Sequence, residues 1–367
     1  MLETCTSCGT AHPADDLHLF QGQRLCQDCF QEHTIICQYC GERVWNENIH
    51  YDEGHAICPS CFEDHFCICS SCGRIIHENE VRYLDEGGDY PYCSQCCEDR
   101  AEALAIHDYG YKPEPVFYGD GPRYFGVELE IDGAGEDRYN AAQILESANF
   151  GGNKRLYIKH DGSLEDGLEL VSHPMSLDYH LTDMPWGDIL REAVRLGYRS
   201  HQTGTCGLHI HVSRNAFGHT EQEQDAAIAR ILFFVEKNWE ELLKFSRRTP
   251  RQLERWACRY GYKEQPREIL DHAKKGAHGG RYTCVNLTND DTIEFRMFRG
   301  TLKFNTLIAT LQLVDRVCDV AIFLSDEELK ALSWTTFVSS CTQPELVQYL
   351  KERRLYVNEP VDVEEDL

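Results

Sequence analysis

Three short stretches of the chain each place two polar residues two positions apart: Glu128 and Glu130 in VELEI, His209 and His211 in GLHIHV, and Glu294 and Arg296 in TIEFRMF. On a β-strand such residues project from one face, about 7 Å apart along the chain, while Val127, Leu129, Ile131 and their counterparts turn to the other. A half-buried strand alternates polar with apolar anyway, and a single pair carries no more than that plain reading. Three pairs drawn from Glu, His and Arg, where an ordinary exposed face uses Thr, Ser and Lys, make the donor set of a carboxylate-rich divalent-metal site with a cation for phosphate. KHDGSLEDGLELVSHP adds Lys159, Asp161, Glu165 and Glu169. Glu169 is the strongest further metal candidate, although its strand partner Val171 is apolar, and a carboxylate held by Ser172 or an Arg is the alternative. Asp161-Gly162 reads as a turn. Arg281, Arg299 and Lys303 flank the last two strands.

A second chemistry is written in the first hundred residues. Six C-x-x-C pairs, Cys5/Cys8, Cys26/Cys29, Cys37/Cys40, Cys58/Cys61, Cys69/Cys72 and Cys93/Cys96, use twelve of the 19 cysteines. Gaps of 17, 17 and 20 residues within duets alternate with gaps of 7 between them, which is an internal repeat. Each opening pair is followed by Gly, which permits a tight turn around a metal, and each closing pair runs into a helix-compatible segment whose N-terminal dipole favours thiolates. Four thiolates close a tetrahedral zinc with no open position, so three such sites are structural. Cross-braced pairing and replacement of a cysteine by His33, His50, His55 or His65 are the competing arrangements. Cys67 and Cys97 fall outside the pairs.

The elements that must position these groups divide the chain. Residues 1–100 form three tandem four-cysteine modules; 101–121 comprise a short helix and a Pro/Gly linker; 122–355 read as strands alternating with helices; and 356–367 are an acidic tail expected to be disordered. Strands are expected at YFGVELEID, RLYIKHD, LELVS, GLHIHVS, RYTCVNL and TIEFRMF. Thr220 and Glu223 form a capping box for one long helix through AAIARILFFVEKNWEELLKFS, FNTLIATLQLVDRVCDVAIFL is a second buried helix, and Thr342 with Glu345 repeats the capping device.

Composition narrows the function classes. With 36 Lys+Arg against 61 Asp+Glu the formal charge is −25, and residues 1–100 hold 5 Arg, no Lys and 18 acidic residues, so nucleic-acid phosphates are repelled and the array points to protein or peptide contacts. No apolar run reaches the ~20 residues of a membrane span. MLETCTSC lacks a secretory signal, and cytoplasmic localisation is expected. There is no G-x-x-x-x-G-K-[ST] phosphate loop and no H-E-x-x-H. Cys206 beside Gly207 has no evident base to make it a nucleophile.

Taken in order, YFGVELEID, KHDGSLEDGLELVSHP, TCGLHIHVSR and RYTCVNLTNDDTIEFRMFRGTLK resemble the amidoligase family of phages and bacteria, within the glutamine-synthetase-like carboxylate-amine ligases. The likeness covers most of residues 120–325 and leaves the zinc array as an appended, zinc-ribbon or treble-clef-like module. It implies an α+β fold with an antiparallel sheet whose concave face carries ATP and two or three Mg²⁺ or Mn²⁺ ions. On that resemblance Glu128, His209 and Glu294 are ligands of the ion bridging ATP phosphates, and Glu130 and Glu169 of the ion nearer the acceptor carboxylate. His211, Arg281, Arg296 and Lys303 approach the nucleotide, and Arg296, Arg299 and Glu130 act in catalysis. The implied activity is amide-bond formation through an acyl phosphate, on a protein or peptide recruited by the zinc modules; substrates and oligomeric state stay open. Two other readings compete: a metal-dependent hydrolase using the same ligands, and a noncatalytic scaffold.

Overall fold

The structure, a computed structural model, describes residues 1–52, 55–83, 90–276 and 280–356, with the backbone alone at residue 52 and at 101–104. It divides into two compact units, Met1–Ala101 and Glu102–Leu367. The acidic tail from 357 onward lies outside the described residues.

The first unit is built by repetition. The hairpin Leu2–Thr4/Ala11–Pro13 encloses the first Cys pair, a second hairpin His18–Phe20/Gln23–Leu25 follows, and the helix Gln27–His33 closes the repeat with Cys26 as its N-cap. Thr34–Ile36/Arg43–Trp45, His50–Asp52/His55–Ile57 and helix Pro59–His65 repeat the pattern, and Phe66–Ile68/Ile75–His77 open the third copy, which ends in Ser94–Leu104. The Gly after each opening pair takes a left-handed backbone, φ 75° at Gly9, 78° at Gly41 and 77° at Gly73, where a β-carbon would be strained. Each repeat has only a few apolar residues, and the next repeat supplements them: Trp45 meets Phe20 edge-on at 5.1 Å, and Ile75 packs onto the cluster around Ile57.

The second unit is a mixed α+β fold around one antiparallel sheet. Its strands are β1 (Phe125–Asp132), β2 (Leu156–Lys159), β3 (Gly167–Ser172), β4 (Gly207–Ser213), β5 (Val285–Asn286) and β6 (Thr292–Arg299), in the order β2-β3-β1-β4-β6-β5. One face is apolar: Val127, Leu129, Ile131, Ile158, Leu170, Leu208, Ile210, Ile293, Phe295 and Met297 are buried under helices that include Glu221–Lys237 and Phe304–Phe323. The other face carries Lys159, Glu169, Glu128, Glu130, His209, His211, Glu294 and Arg296. The Pro/Gly-rich stretch after residue 106 runs along this unit rather than free of it: His107 bridges Lys159, Tyr118 bridges Met175, and Val116 N–H donates to His173 Nδ1 at 3.1 Å. Among the described residues no helix is long and apolar enough to cross a membrane.

Two local expectations are corrected. The long helix opens at the Thr220/Glu223 capping box as read, but breaks at Asn238 into Glu221–Lys237 and Trp239–Ser246. The buried Asn238 side chain donates to the Phe234 carbonyl at 2.9 Å, so a local side-chain bond competes with the helix. Thr342 caps nothing: the last helix, Pro344–Glu352, starts after Gln343, and Glu345 instead accepts from Gln312 at 2.8 Å.

Candidate active site

Strand register converts the two-residue pairs into continuous rows across the polar face. Lys159 on β2 is opposite Glu169 on β3, and Glu169 is opposite Glu130 on β1. Glu128 is opposite His209 on β4, and His211 is opposite Glu294 on β6. The rows line a cavity of about 280 Å³ whose rim adds Arg248, Trp256, Arg281, Tyr282 and Asn286. A larger cavity of about 870 Å³ continues along the same face and shares Glu128, Lys159 and His211 with it.

His209 is the hub. Its Nδ1 lies 3.3 Å from Glu128 Oε2 and 3.6 Å from Glu294 Oε1, and its Nε2 lies 3.9 Å from Glu130 Oε1. Glu128, His209 and Glu294 each offer a ligand atom within 4.8 Å of the others, and so do Glu130, Glu169 and His209. His211 Nε2 is 3.2 Å from Glu128 Oε1. Glu294 is held twice, by Arg296 on its own strand and by Asn286 Nδ2 at 2.8 Å.

The electrostatics are those of a place short of positive charge. Burial pushes Glu128 up, but His211 and His209 more than offset it and hold the carboxylate well below its usual range. Burial raises Glu130, against the pull of His209. Glu169 is pushed up to about 8 by burial and the charge of Glu128, with Lys159 opposing. Burial alone would lower His211, and Glu128 beside it raises it to about 8. Glu169 Oε2, His211 Nε2 and Arg296 Nε are buried without an aligned hydrogen bond. Clustered carboxylates, an imidazole nitrogen and orphaned polar atoms fit a divalent cation of the Mg²⁺ or Mn²⁺ kind.

The remaining residues singled out in the sequence are placed unevenly. Arg281 reaches the cavity between two rings, donating to the hydroxyl of Tyr109 and, at 2.9 Å, to that of Tyr282. Arg299 lies beside the cavity but turns to the carbonyls of Arg247 and Thr203 at 3.4 and 3.3 Å. It reaches the polar face only because β6 carries a bulge: Leu208 pairs with Phe298 while Ile210 pairs with Phe295, so two residues oppose His209. Lys303 is a correction. It lies past the strand as N-cap of Phe304–Phe323, ion-paired to Glu352 at 3.1 Å, and does not line the cavity. Asp161 lines the cavity and also makes the expected turn, accepting from Ser163 N–H at 2.7 Å.

Arg248 escaped the sequence reading. It is buried at 6% exposure, lines the cavity, and spends only Nε on a described partner, the Phe298 carbonyl at 3.1 Å. Burial lowers its pKa against the charge of Glu130. Trp256 and Tyr282, edge-on at 5.8 Å, add an aromatic wall. No short-range signal marks Arg248 and Trp256, which come from around the helix Pro250–Trp256, far from the strands in sequence, whereas Tyr282 falls within the expected RYTCVNL segment just before β5.

In the first unit the cysteines group sequentially: Cys5/Cys8/Cys26/Cys29, Cys37/Cys40/Cys58/Cys61 and Cys69/Cys72/Cys93/Cys96. Sulfur–sulfur distances of 3.9 Å (Cys8–Cys26), 3.8 Å (Cys40–Cys58) and 3.9 Å (Cys72–Cys93) match the edge of a tetrahedron with Zn–S bonds of about 2.3 Å. Backbone N–H groups of Cys26 and Cys8 lower the Cys5 thiol to about 6, which favours the ligating thiolate. The donors therefore fit zinc, and the sequential grouping replaces the cross-braced alternative.

A family model described as "Putative amidoligase enzyme" matches residues 150–318. Among solved structures, a bifunctional glutathione synthetase from Pasteurella multocida is similar at 14% identity and a TM-score of 0.33, over 64% of this chain and 47% of that one. The chain thus spans about half the length of that structure, and a likeness of this size carries no inference about activity. No curated protein matches the sequence. The stretch similar to that family model, somewhat less than half of the chain, includes Glu169, His209, Arg248, Glu294 and Arg296.

Proposed function

We propose that the second unit is an ATP- and divalent-metal-dependent carboxylate-amine ligase. The observation that carries this reading is the juxtaposition, in one trough, of the Glu128–His209–Glu294 donor triad with the guanidiniums of Arg248 and Arg296. Joining a carboxylate to an amine requires a better leaving group than oxide. Transfer of the ATP γ-phosphoryl group to a carboxylate oxygen makes an acyl phosphate and releases ADP; attack by the amine then forms the C–N bond, and phosphate leaves with the proton lost to solvent or a nearby base.

Glu128, His209 and Glu294 would hold the divalent ion, which supplies charge neutralisation between polyphosphate and carboxylates. Arg248 and Arg296 place fixed positive charge where the phosphoryl oxygens gather, beside carboxylates that are themselves buried. Asn286, opposite Glu294 across the β5–β6 pair, donates to its carboxylate and fixes it. The Trp256/Tyr282 wall offers a flat apolar surface to a nucleobase. We include in this reading that the acidic zinc array recruits a protein or peptide substrate carrying positive charge.

Thermal unfolding of wild type and Glu128→Gln with ATP, with and without Mg²⁺ or Mn²⁺, tests the proposal without knowledge of the acceptor. A ligand at ~100 times its dissociation constant stabilises by about 2.7 kcal/mol, a shift of a few degrees. The expected result is a metal-dependent ATP shift in wild type that Glu128→Gln lacks. An equal shift in both, or none in either, rejects the nucleotide site.

A further inference from the structure

The two candidate metal triads share His209, and a neutral imidazole has one lone pair to give. Nδ1 faces Glu128 and Glu294 at 3.3 and 3.6 Å, so when it ligates an ion there Nε2 carries the hydrogen and points at Glu130, 3.9 Å away. A ligating histidine held from behind by a carboxylate is the usual second layer of a metal site. Glu130 is itself fixed for that task, because its Oε2 accepts from Gly207 N–H at 2.5 Å.

The second triad is then left with Glu169, and Glu169 is taken. Lys159 is its cross-strand neighbour, with Nζ 3.0 Å from Glu169 Oε2. Both residues are buried, at 8% and 4% exposure, and the Tyr109 ring covers the ammonium at 5.6 Å. A lysine this deep is held by its charge partner. It also lies where the two cavities meet, so its ammonium faces whatever enters along the larger one.

We propose that Lys159 takes the place of a second protein-bound divalent ion: its ammonium neutralises the Glu169 side of the trough, and the chain alone binds one ion, at Glu128, His209 and Glu294. The inference rests on the ligase reading of the site and deepens it. A carboxylate substrate reaching the trough from the larger cavity is met by a permanent ammonium, and any further ion arrives with the nucleotide.

The test is Mn²⁺ titration of the full chain, its zinc content measured beforehand, in the absence of nucleotide, followed by calorimetry and by electron paramagnetic resonance. Wild type is expected to bind one Mn²⁺. Lys159→Met, which leaves Glu169 without its cation, is expected to bind two, with the second site tightened at least about tenfold and the spectrum showing two neighbouring ions, since removing a unit charge ~4 Å away changes the local field by more than that factor. Lys159→Arg keeps a cation and should stay at one; Lys159→Gln substitutes for the Met variant should that one fail to fold. Two ions in wild type, or one in both neutral variants, overturns the inference while leaving the metal-dependent ATP shift standing. No ion in any of them overturns the ligase reading as well.

Discussion

The absence of a side chain at Gly207 is what lets His209 stand where it does: a β-carbon at position 207 would lie 2.6 Å from His209 Nε2 and 2.5 Å from an Arg248 terminal nitrogen. The same glycine donates its N–H to Glu130. One small residue thus positions an imidazole, a guanidinium and a carboxylate, which gives the Gly that opens GLHIHV a physical reason.

Gly207→Ala is therefore expected to displace the ring or the guanidinium, abolish divalent-ion binding and cost about 1–3 kcal/mol of stability as an overpacked position. Gly126→Ala on the neighbouring strand is the control, because its β-carbon would sit 3.5 Å from the His211 β-carbon, an ordinary contact. Urea unfolding and Mn²⁺ titration of the two variants should separate them. Equal ion binding in both would reject the steric role.

Arg248 should behave as an anion-binding group and not as a structural one. Its guanidinium spends a single nitrogen on a described partner and turns the rest toward the trough. Arg248→Gln is expected to weaken ATP binding about tenfold or more, as loss of a charge-assisted contact does, while leaving the Mn²⁺ affinity of the Glu128 triad within a few-fold. Arg299→Gln, whose parent side chain is engaged by two backbone carbonyls outside the cavity, should weaken ATP far less. Competition with a fluorescent nucleotide reads both, and the reverse order would reassign the phosphate contact to Arg299.

How far the sequence reaches follows from the range of each interaction. Glu128/Glu130, His209/His211 and Glu294/Arg296 were legible because a strand's period of two is a local property, and the sheet brings all six to one face. Which strands neighbour each other is not local, so the Lys159–Glu169–Glu130 row appears only with the register. Arg299 shows a sharper limit: it shares parity with Phe295 and Met297, and only the bulge opposite His209 turns it from the core side. Lys303 flanks the last strand in sequence, as expected, but it stands at the N-cap of the next helix and pairs with Glu352, a partner 49 residues away that no local pattern reveals. The zinc modules were the most legible part, since ligands, turn glycine and helix start all fall within one repeat, and spacing of that kind needs no tertiary information.

Removal of metal should act differently on the two units. The first has three small apolar clusters, each built partly of its own cysteines, so its fold is expected to depend on metal held by those cysteines. The second has a large core with none of those ligands. Chelation at neutral pH is expected to release three zinc ions per chain and make residues 1–101 sensitive to protease, while the cooperative thermal transition of the second unit persists. Cys37→Ala, at a fully buried ligand, should lower the zinc content from three to two. Retention of three ions in that variant would show that the grouping is not as described.

His180 gives the second unit a defined acid sensitivity. The ring is fully buried, its Nε2 lies 3.0 Å from the Phe125 carbonyl at the start of β1, and Trp186 Nε1–H donates to its Nδ1 at 3.2 Å. One nitrogen must therefore donate and the other accept, which only the neutral ring does; protonation would set two N–H groups against each other. Burial lowers its pKa from 6.5 to about 4, against the bond to Phe125. Above pH ~6.5 neither folded nor unfolded chain binds the proton and the stabilisation is complete; as pH falls toward ~4 the unfolded chain takes up a proton that the folded one refuses, and stability is lost, about 3 kcal/mol at most. Between pH 7 and pH 5 the wild type should therefore lose about 2 kcal/mol more than His180→Gln, which has no group titrating in that window, although the variant starts from a lower stability. Urea unfolding at the two pH values measures the difference. Parallel losses in both proteins would mean that the ring takes up its proton inside the fold, and that the Trp186–His180–Phe125 relay does not hold the first strand of the trough in place.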